Sequence, residues 1–333
     1  MKRTSIILLS VMAITACSKT EVNYNDSSEI RLAPVSSMNT KAAVDGTDYP
    51  AALDFYLFAN AGYDTDADGI ADQGETYTDI FLDYAKFTDE ADGTENNKVF
   101  AGDPTCYWPN VKSLIFAGVS ASGNVASLTA EKVNMDFVNN QLTITGYTQP
   151  DSGNNDLMWF SKTTPYDKDA NAIPVSMKHA CAWLEFTFKG DAVTAADGSA
   201  GKILDVKVLN VAKKGNATCG ESSATWDTLS EEADYIVYDN ASGTPLTTAG
   251  VTPKGEGKDA VVIPQGQKSI YFKYSFTSQA GQTIEEEKTI ELTGDWVSGT
   301  HYIYTITIGA TEIKIAPSAT SWGDPVATTP TFN

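Results

Sequence analysis

The clearest candidate for chemistry in this chain is a twelve-residue acidic segment. It reads D-T-D-A-D-G-I-A-D-Q-G-E and fits the spacing D-x-D-x-D-G-x5-E. Calcium takes about six to eight oxygen ligands, and this spacing supplies them. We predict carboxylate or carbonyl ligands from Asp64, Asp66, Asp68, Ile70, Asp72 and Glu75. The flanks resemble strands, so the ion would brace a loop, and a solvated acidic loop without calcium is the alternative.

A second candidate for covalent chemistry lies at the start of the chain. Lys2 and Arg3 precede a short apolar run over residues 6–14, and Thr15 and Ala16 lead directly to Cys17. A charged start and a short apolar run are typical of a signal peptide, and the run is shorter than the about 20 residues of a membrane span. Small residues before a cysteine resemble a lipobox. We expect cleavage after residue 16 and lipid, including palmitate, on Cys17, with an ordinary secretory signal or an uncleaved anchor as alternatives.

No group of residues in the sequence resembles a catalytic site. The chain has two histidines, His179 and His301, and it lacks H-E-x-x-H, G-x-S-x-G and a phosphate-binding glycine loop before a helix. His179 and Cys181 are two residues apart on a predicted strand, so they would share a face, but no third group is placed to orient them. We therefore predict packing roles for both residues and no enzymatic activity.

The net charge of the chain limits the class of partner. The 333 residues include 23 lysines and arginines against 43 acidic residues, and the net charge is −20. Phosphate backbones repel such a chain, so we expect no nucleic-acid partner.

Beyond Cys17, the cysteines Cys106, Cys181 and Cys219 allow at most one disulfide, and no C-x-x-C spacing indicates zinc or redox chemistry. Buried free thiols are the simplest expectation.

Short strands are the elements that must position these side chains. Runs of β-branched and aromatic residues alternate with turn residues, and no segment keeps a 3.6-residue apolar period. Residues 180–188 and 302–308 alternate cleanly, which places one face of each strand on a core. We predict strands at residues 29–35, 53–59, 80–84, 114–119, 141–144, 157–160, 180–188, 203–211, 235–238, 260–263, 270–276, 289–292, 302–308 and 313–315. The pattern predicts an all-β chain of β-sandwich type with little helix.

Six segments in a fixed order point to a known family. They are F-Y-L-F-A at 55–59, Y-W-P at 107–109 followed by L-I-F-A at 114–117, K-H-A-C-A-W-L-E-F at 178–186, I-P-Q at 263–265 and W-V-S-G-T-H-Y-I-Y at 296–304. With the lipobox, they resemble the fimbrillin-like lipoproteins, the subunits of type V pili. The resemblance covers most of the chain and implies two tandem transthyretin-like β-sandwich domains.

The domain limits combine this resemblance with local composition. We expect a signal peptide at 1–16, a lipidated propeptide with a removable strand at 17–41, an N-terminal sandwich at 42–172 and a C-terminal sandwich at 173–333. The second boundary follows a polar, turn-rich stretch at 163–171.

The resemblance also implies an assembly route. A lipidated precursor reaches the outer membrane, and a trypsin-like protease cuts after a basic residue shortly before the first domain. We expect the cut between Lys41 and Ala42, with Arg31 as the second candidate and a merely solvated Lys41 as the alternative. Loss of the strand within residues 29–38 would leave an unpaired edge that accepts a strand from another subunit. Residues 311–316 are the candidate donor, because Pro325 and Pro330 interrupt the tail at 318–333.

These features predict a structural or adhesive subunit of a cell-surface fimbria. Its partners would be other pilus subunits, the processing protease, the outer membrane through the lipid, and a host or bacterial surface ligand. The alternative is a surface lipoprotein that binds a glycan or host ligand without polymerising. Exposed Trp108, Trp226 and Trp296 would stack on sugars in that case, whereas buried tryptophans would indicate packing. The sequence leaves a stalk, a tip and an anchor role open.

Overall fold

The computed structural model describes residues 29–36, 54–62, 80–89, 99–109, 113–121, 128–150, 156–165, 172–190, 201–255, 260–266, 268–277, 281–309 and 313–321. These residues form strands and turns without a helix, and none of them belongs to a helix long and apolar enough to cross a membrane. In chain order the strands are β1 (Arg31–Ser36), β2 (Phe55–Gly62), β3 (Ile80–Asp89), β4 (Phe100–Gly102), β5 (Ser113–Ala121), β6 (Val133–Asp136), β7 (Gln141–Thr148), β8 (Leu157–Pro165), β9 (Ile173–His179), β10 (Ala182–Gly190), β11 (Lys202–Cys219), β12 (Ala224–Pro245), β13 (Ala260–Val262), β14 (Lys268–Thr277), β15 (Thr283–Leu292), β16 (Thr300–Ile308) and β17 (Ile313–Ser321).

Seven strands close into a barrel in the order β1, β4, β3, β2, β5, β8 and β9. Neighbouring strands are antiparallel, except that β1 and β9 run parallel. Closure pairs the strand edges that an open sheet would leave exposed. The first strand of the described residues, β1, therefore completes the barrel.

Strand β5 connects the barrel core to a second core. All nine of its residues are buried. Leu114 and Phe116 belong to the barrel cluster, whereas Ile115 and Ala117 belong to a cluster shared with β7, β10 and β11. Successive side chains of a strand point to opposite faces, so an unbroken apolar run is packed on both sides.

The other strands form two further sheets. One has the order β13, β10, β16 and β17, and the other has the order β15, β14, β11, β7 and β6, with β12 also paired to β11. Apolar side chains of these sheets, including Phe186, Phe188, Phe272 and Tyr304, form a third core cluster. Strand β17 lies at an edge, since the described residues pair it with β16 alone.

The all-β prediction is confirmed for the described residues. Each predicted strand overlaps an observed one, and the alternation predicted for β10 and β16 appears in their burial. The sequence missed β4, β6 and β9. The first two have only three and four residues, and β9 contains a proline, Pro174, which counts against a strand inside a sheet.

Strand pairing crosses the predicted boundary at residue 172. Strands β8 and β9 lie on either side of it and pair through Met158–His179 and Trp159–Lys178. Strand β7, before the boundary, pairs with β11, after it. Strand β9 belongs to the barrel and β10 belongs to the four-stranded sheet, so the chain passes from one to the other at residues 180–181. The division into two transthyretin-like domains stays a prediction.

Candidate functional site

Strand β1 lies between β4 and β9 and closes the barrel. It pairs with β4 through Arg31–Ala101 and Leu32–Phe100. A parallel ladder of five pairs, from Leu32–Ile173 to Ser36–Met177, joins it to β9. Just before the strand, the backbone N–H of Ile30 donates to the carbonyl of Cys106 at 2.8 Å. Removing this segment would therefore open the barrel along one seam.

Two aliphatic side chains attach this segment to the barrel core. Ile30 and Leu32 are both 0% exposed and belong to the same cluster as Phe100 and Ile173. Burying one such side chain contributes about 1.5–3 kcal/mol. Loss of the segment would leave an apolar slot flanked by two unpaired strand edges.

The remaining described attachments of β1 are weaker. Nη2 of Arg31 lies 2.8 Å from a carboxylate oxygen of Glu29, and the arginine side chain is 40% exposed. Exposed ion pairs contribute about 0–1 kcal/mol. The ladder with β4 has two pairs, and Pro34, which has no N–H, lies beyond them, opposite Val175 of β9. The segment packs into the barrel core, but its ladder with β4 is short.

Of the two predicted cleavage sites, Arg31 is described and Lys41 is not. Arg31 lies inside β1, and its backbone is paired with β4. A protease binds several residues of an extended, unpaired chain, so the ladder protects this position. A cut there would also leave residues 32–36 attached to the rest of the chain. Lys41 and Ala42 lie outside the described residues, between β1 and β2.

The predicted lipid and calcium positions also lie outside the described residues. Cys17 precedes the first described residue, and the acidic segment lies between β2 and β3. The assignments to Cys17, Asp64, Asp66, Asp68, Ile70, Asp72 and Glu75 therefore stay predictions. Within the part of the chain that the structure describes, no group of three or more histidine, cysteine or acidic residues could hold a metal ion.

A buried pair of ionisable groups joins the barrel strands β8 and β9. Nδ1 of His179 contacts a carboxylate oxygen of Asp156, and these side chains are 1% and 0% exposed. Burial raises the pKa of Asp156, and the neighbouring His179 opposes this rise. The pair thus connects the residue before β8 to the last residue of β9 inside the core.

The prediction that His179 and Cys181 lie on one strand was wrong. His179 ends β9, whereas Cys181 lies in the bend before β10. Burial, with a smaller effect of the Asp156 charge, raises the pKa of the Cys181 thiol well above its ordinary value. A buried, protonated thiol is a poor nucleophile. Cys106 and Cys219 are likewise buried and outside any disulfide, so these cysteines fit packing roles.

The tryptophans considered for sugar stacking are packed against the protein. Trp108 and Trp296 are 5% and 3% exposed, and the indole of Trp296 donates to the hydroxyl of Tyr304 at 2.9 Å. Trp226 is half-buried, and its indole donates to the carbonyl of Ala180 at 2.8 Å. Stacking on a sugar requires an exposed ring face, so these three positions favour the packing interpretation.

Comparison with known proteins places the chain in a family. The fimbrillin-like family model matches residues 40–322. A fimbrial protein from Bacteroides vulgatus has a similar solved structure, with 10% identity, coverage of 88% of this chain and 99% of that chain, and a TM-score of 0.55. A candidate cell adhesion protein from Bacteroides uniformis matches at 19% identity, 88% and 98% coverage, and a TM-score of 0.48.

A third solved structure is the tip fimbrial protein Mfa3 from Porphyromonas gingivalis with a C-terminal truncation, at 11% identity, 89% and 99% coverage, and a TM-score of 0.41. No curated protein sequence matches the chain. At these identities, the Bacteroides vulgatus structure supports the fold alone, whereas the family match spans most of the sequence. The chain belongs to the fimbrillin-like family.

Proposed function

We propose that this chain is a structural or adhesive subunit of a cell-surface fimbria, delivered as an outer membrane lipoprotein and assembled by proteolysis and strand exchange. Family membership supports a fimbrial or cell-adhesion role. The observation that carries the assembly route is the position of β1. This strand completes the barrel, yet it precedes the predicted cut at Lys41. We propose a structural role and no catalysis.

Processing between β1 and β2 would convert β1 into a separate, non-covalently bound segment. Lipid on Cys17 would first hold the precursor at the outer membrane. Lys41 is the one basic residue between residues 37 and 54, so a trypsin-like protease has a single target there. The cut would break no described ladder. The described side chains Ile30 and Leu32 would then supply roughly 3–6 kcal/mol of the remaining attachment.

The slot that β1 leaves has the properties of a strand acceptor. Its edges are β4 and β9, and its lining includes Phe100, Ile173 and Met177. In strand addition, main-chain hydrogen bonds give affinity and alternate side chains give specificity. The predicted donor at residues 311–316 overlaps β17, an edge strand. Another subunit is therefore the proposed partner.

Three further predictions belong to this proposal. The chain would consist of tandem transthyretin-like sandwiches at 42–172 and 173–333. Calcium in the segment at 64–75 would brace the connection between β2 and β3, independently of assembly. A host or bacterial ligand on the assembled fimbria would be a further partner.

Limited trypsin digestion of the purified precursor tests the assembly route. We expect a fragment that begins at Ala42, loss of β1, and a ladder of oligomers on unheated SDS electrophoresis. Lys41→Ala should block both the cut and the ladder. Arg31→Ala is the matched control and should still give the ladder, because it leaves Lys41 in place and its ion pair with Glu29 is exposed and weak. A chain that is cut at Lys41 and freed of β1 but stays monomeric would overturn the proposal and favour a non-polymerising surface lipoprotein.

A further inference from the structure

We infer that a stacked pair of tyrosines, on the side of β2 and β3 that faces away from the barrel core, binds a neutral pyranose of a surface glycan. The rings of Tyr56 and Tyr84 are nearly parallel, with centroids 4.5 Å apart and an angle of 7° between their planes. Both residues are half-buried. The inference rests on the proposed function for the adhesive role, and it adds the binding site and the class of ligand.

Tyr84 reaches its partner through an unusual backbone conformation. Its φ is 57°, in the left-handed region that bulky residues seldom adopt. The ladder pairs Leu57 with Ala85 and next Ala59 with Leu82. Strand β3 therefore has one residue more than β2 in this interval, which is a β-bulge, and bulges re-aim side chains beside functional sites. An outlier of this kind points to a function for the side chain that it positions.

The ring of Tyr84 is held in place by two contacts besides the stack. Its hydroxyl donates to the carbonyl of Leu128. Phe58, which is 3% exposed, packs on it with ring centroids 5.9 Å apart. Among the described residues, Tyr84 is the one whose ring stacks on Tyr56. The opposite face of the Tyr56 ring is where a ligand would stack, on a support that is already rigid.

Two accessible charged groups flank the ring of Tyr56. Lys86 lies opposite Tyr56 in the ladder, and its Nζ lies 2.8 Å from a carboxylate oxygen of Asp54, with side chains 43% and 29% exposed. The hydroxyl of Ser120 donates to the backbone carbonyl of Asp54 at 2.8 Å, which fixes that residue. Burial, and then the charge of Asp54, raises the pKa of Tyr56 against the opposing effect of Lys86. The phenol therefore stays protonated and can donate a hydrogen bond.

These groups have the chemistry that recognises a sugar ring. A pyranose presents C–H groups on one face, which pack on an aromatic ring, and hydroxyls at its rim, which bond to carboxylates, ammonium groups and phenols. The charges of Asp54 and Lys86 balance each other. The chain as a whole has a net charge of −20, so its field repels an anionic sugar. The site therefore favours a neutral pyranose.

A shallow platform of this kind binds weakly as a single copy. A ligand of about 12 non-hydrogen atoms reaches a Kd on the order of 1 mM at such a site. Repeated subunits of a fimbria would present many copies, and avidity can exceed the affinity of one site by about 10²–10⁴. The site thus suits adhesion to a surface that displays many sugars.

Saturation-transfer NMR on the uncut precursor tests the site. The probes are the methyl glycosides of glucose, galactose, mannose and N-acetylglucosamine, each at about 10 mM, with methyl sialoside as the anionic comparison. We expect at least one neutral glycoside to bind and the sialoside not to bind. Tyr56→Ala should abolish the signal, whereas Tyr56→Phe keeps the ring and should retain it. Tyr271→Ala, which changes another half-buried tyrosine on β14, is the matched control and should bind as the wild type does.

Asp54→Asn provides a second variant that leaves both aromatic rings in place. It removes the charged acceptor at nearly constant volume, and hydrogen bonds to charged groups are the stronger ones. We expect the Kd for the neutral glycoside to rise about tenfold. Urea unfolding of each variant separates loss of the site from loss of the fold.

The outcomes separate this inference from the proposed function. Absence of binding by all four neutral glycosides would overturn the inference, and so would binding that survives both Tyr56→Ala and Asp54→Asn or that is lost in Tyr271→Ala instead. Binding of the sialoside alone would overturn the assignment to a neutral sugar. A chain that forms the oligomer ladder after cleavage but binds no sugar would contradict this inference alone. A chain that binds sugar but forms no ladder would contradict the assembly route alone.

Discussion

Ile30 and Leu32 are two fully buried side chains in a segment that the proposed route discards. Their i, i+2 spacing was visible in the sequence, but their depth in the core was not, because a short strand near a polar N-terminal stretch can equally lie on a surface. The structure assigns them to the barrel cluster. At the residue scale, their burial would link the folding of the precursor to its later assembly in the proposed route.

Leu32→Ala should destabilise the uncut precursor and leave the processed protein unaffected. Leucine-to-alanine changes in a core cost about 2–5 kcal/mol. Urea unfolding of the precursor should show this loss. After cleavage at Lys41 and removal of β1, the variant and the wild type are the same molecule and should unfold alike. An unchanged unfolding midpoint of the variant precursor would show that Leu32 contributes little to the core.

Asp66→Ala should abolish calcium binding. The twelve-residue segment supplies calcium ligands from alternating carboxylates, and this change removes one near its start. Titration calorimetry should give a calcium-dependent heat for the wild-type protein and none for the variant. Asp83→Ala, which changes an exposed acid on β3, is the control and should bind as the wild type does. Equal heats for wild type and Asp66→Ala, or none for both, would remove the calcium prediction.

At the scale of elements, strands were predictable where apolar and polar residues alternate over many positions. Residues 180–188 and 302–308 alternate over several positions, and they became β10 and β16 with the expected buried faces. Strand β9 also alternates, with Ile173, Val175 and Met177 buried. It was not predicted, because Pro174 and the preceding turn residues are typical of a loop. Asp156 was missed as the partner of His179 because they are 23 residues apart and meet only when β8 pairs with β9.

Asp156→Ala should loosen the pairing of β8 with β9. Removing one member of a buried pair leaves the other without compensation and costs about 3–5 kcal/mol. Chemical denaturation should show this loss. Asp156→Asn keeps an acceptor for the histidine ring and should lose less. Equal, small losses for both variants would mean that the contact with His179 contributes little to stability.

At the scale of the whole molecule, the decisive feature is closure of the barrel by its first strand. The parallel ladder joins β1 to β9 across most of the first half of the sequence, and no local pattern specifies such a pairing. The family resemblance implied a removable strand within residues 29–38, but not which strands flank it. In the proposed route, the lipid on Cys17 is lost with β1 and serves only to deliver the precursor to the outer membrane.

The N-terminus of the protein in fimbriae sheared from intact cells tests this account most directly. Mass spectrometry of the assembled subunit should find a chain that begins at Ala42, without lipid and without residues 29–36. A chain in the fimbriae that still begins at lipidated Cys17 and retains β1 would contradict the account.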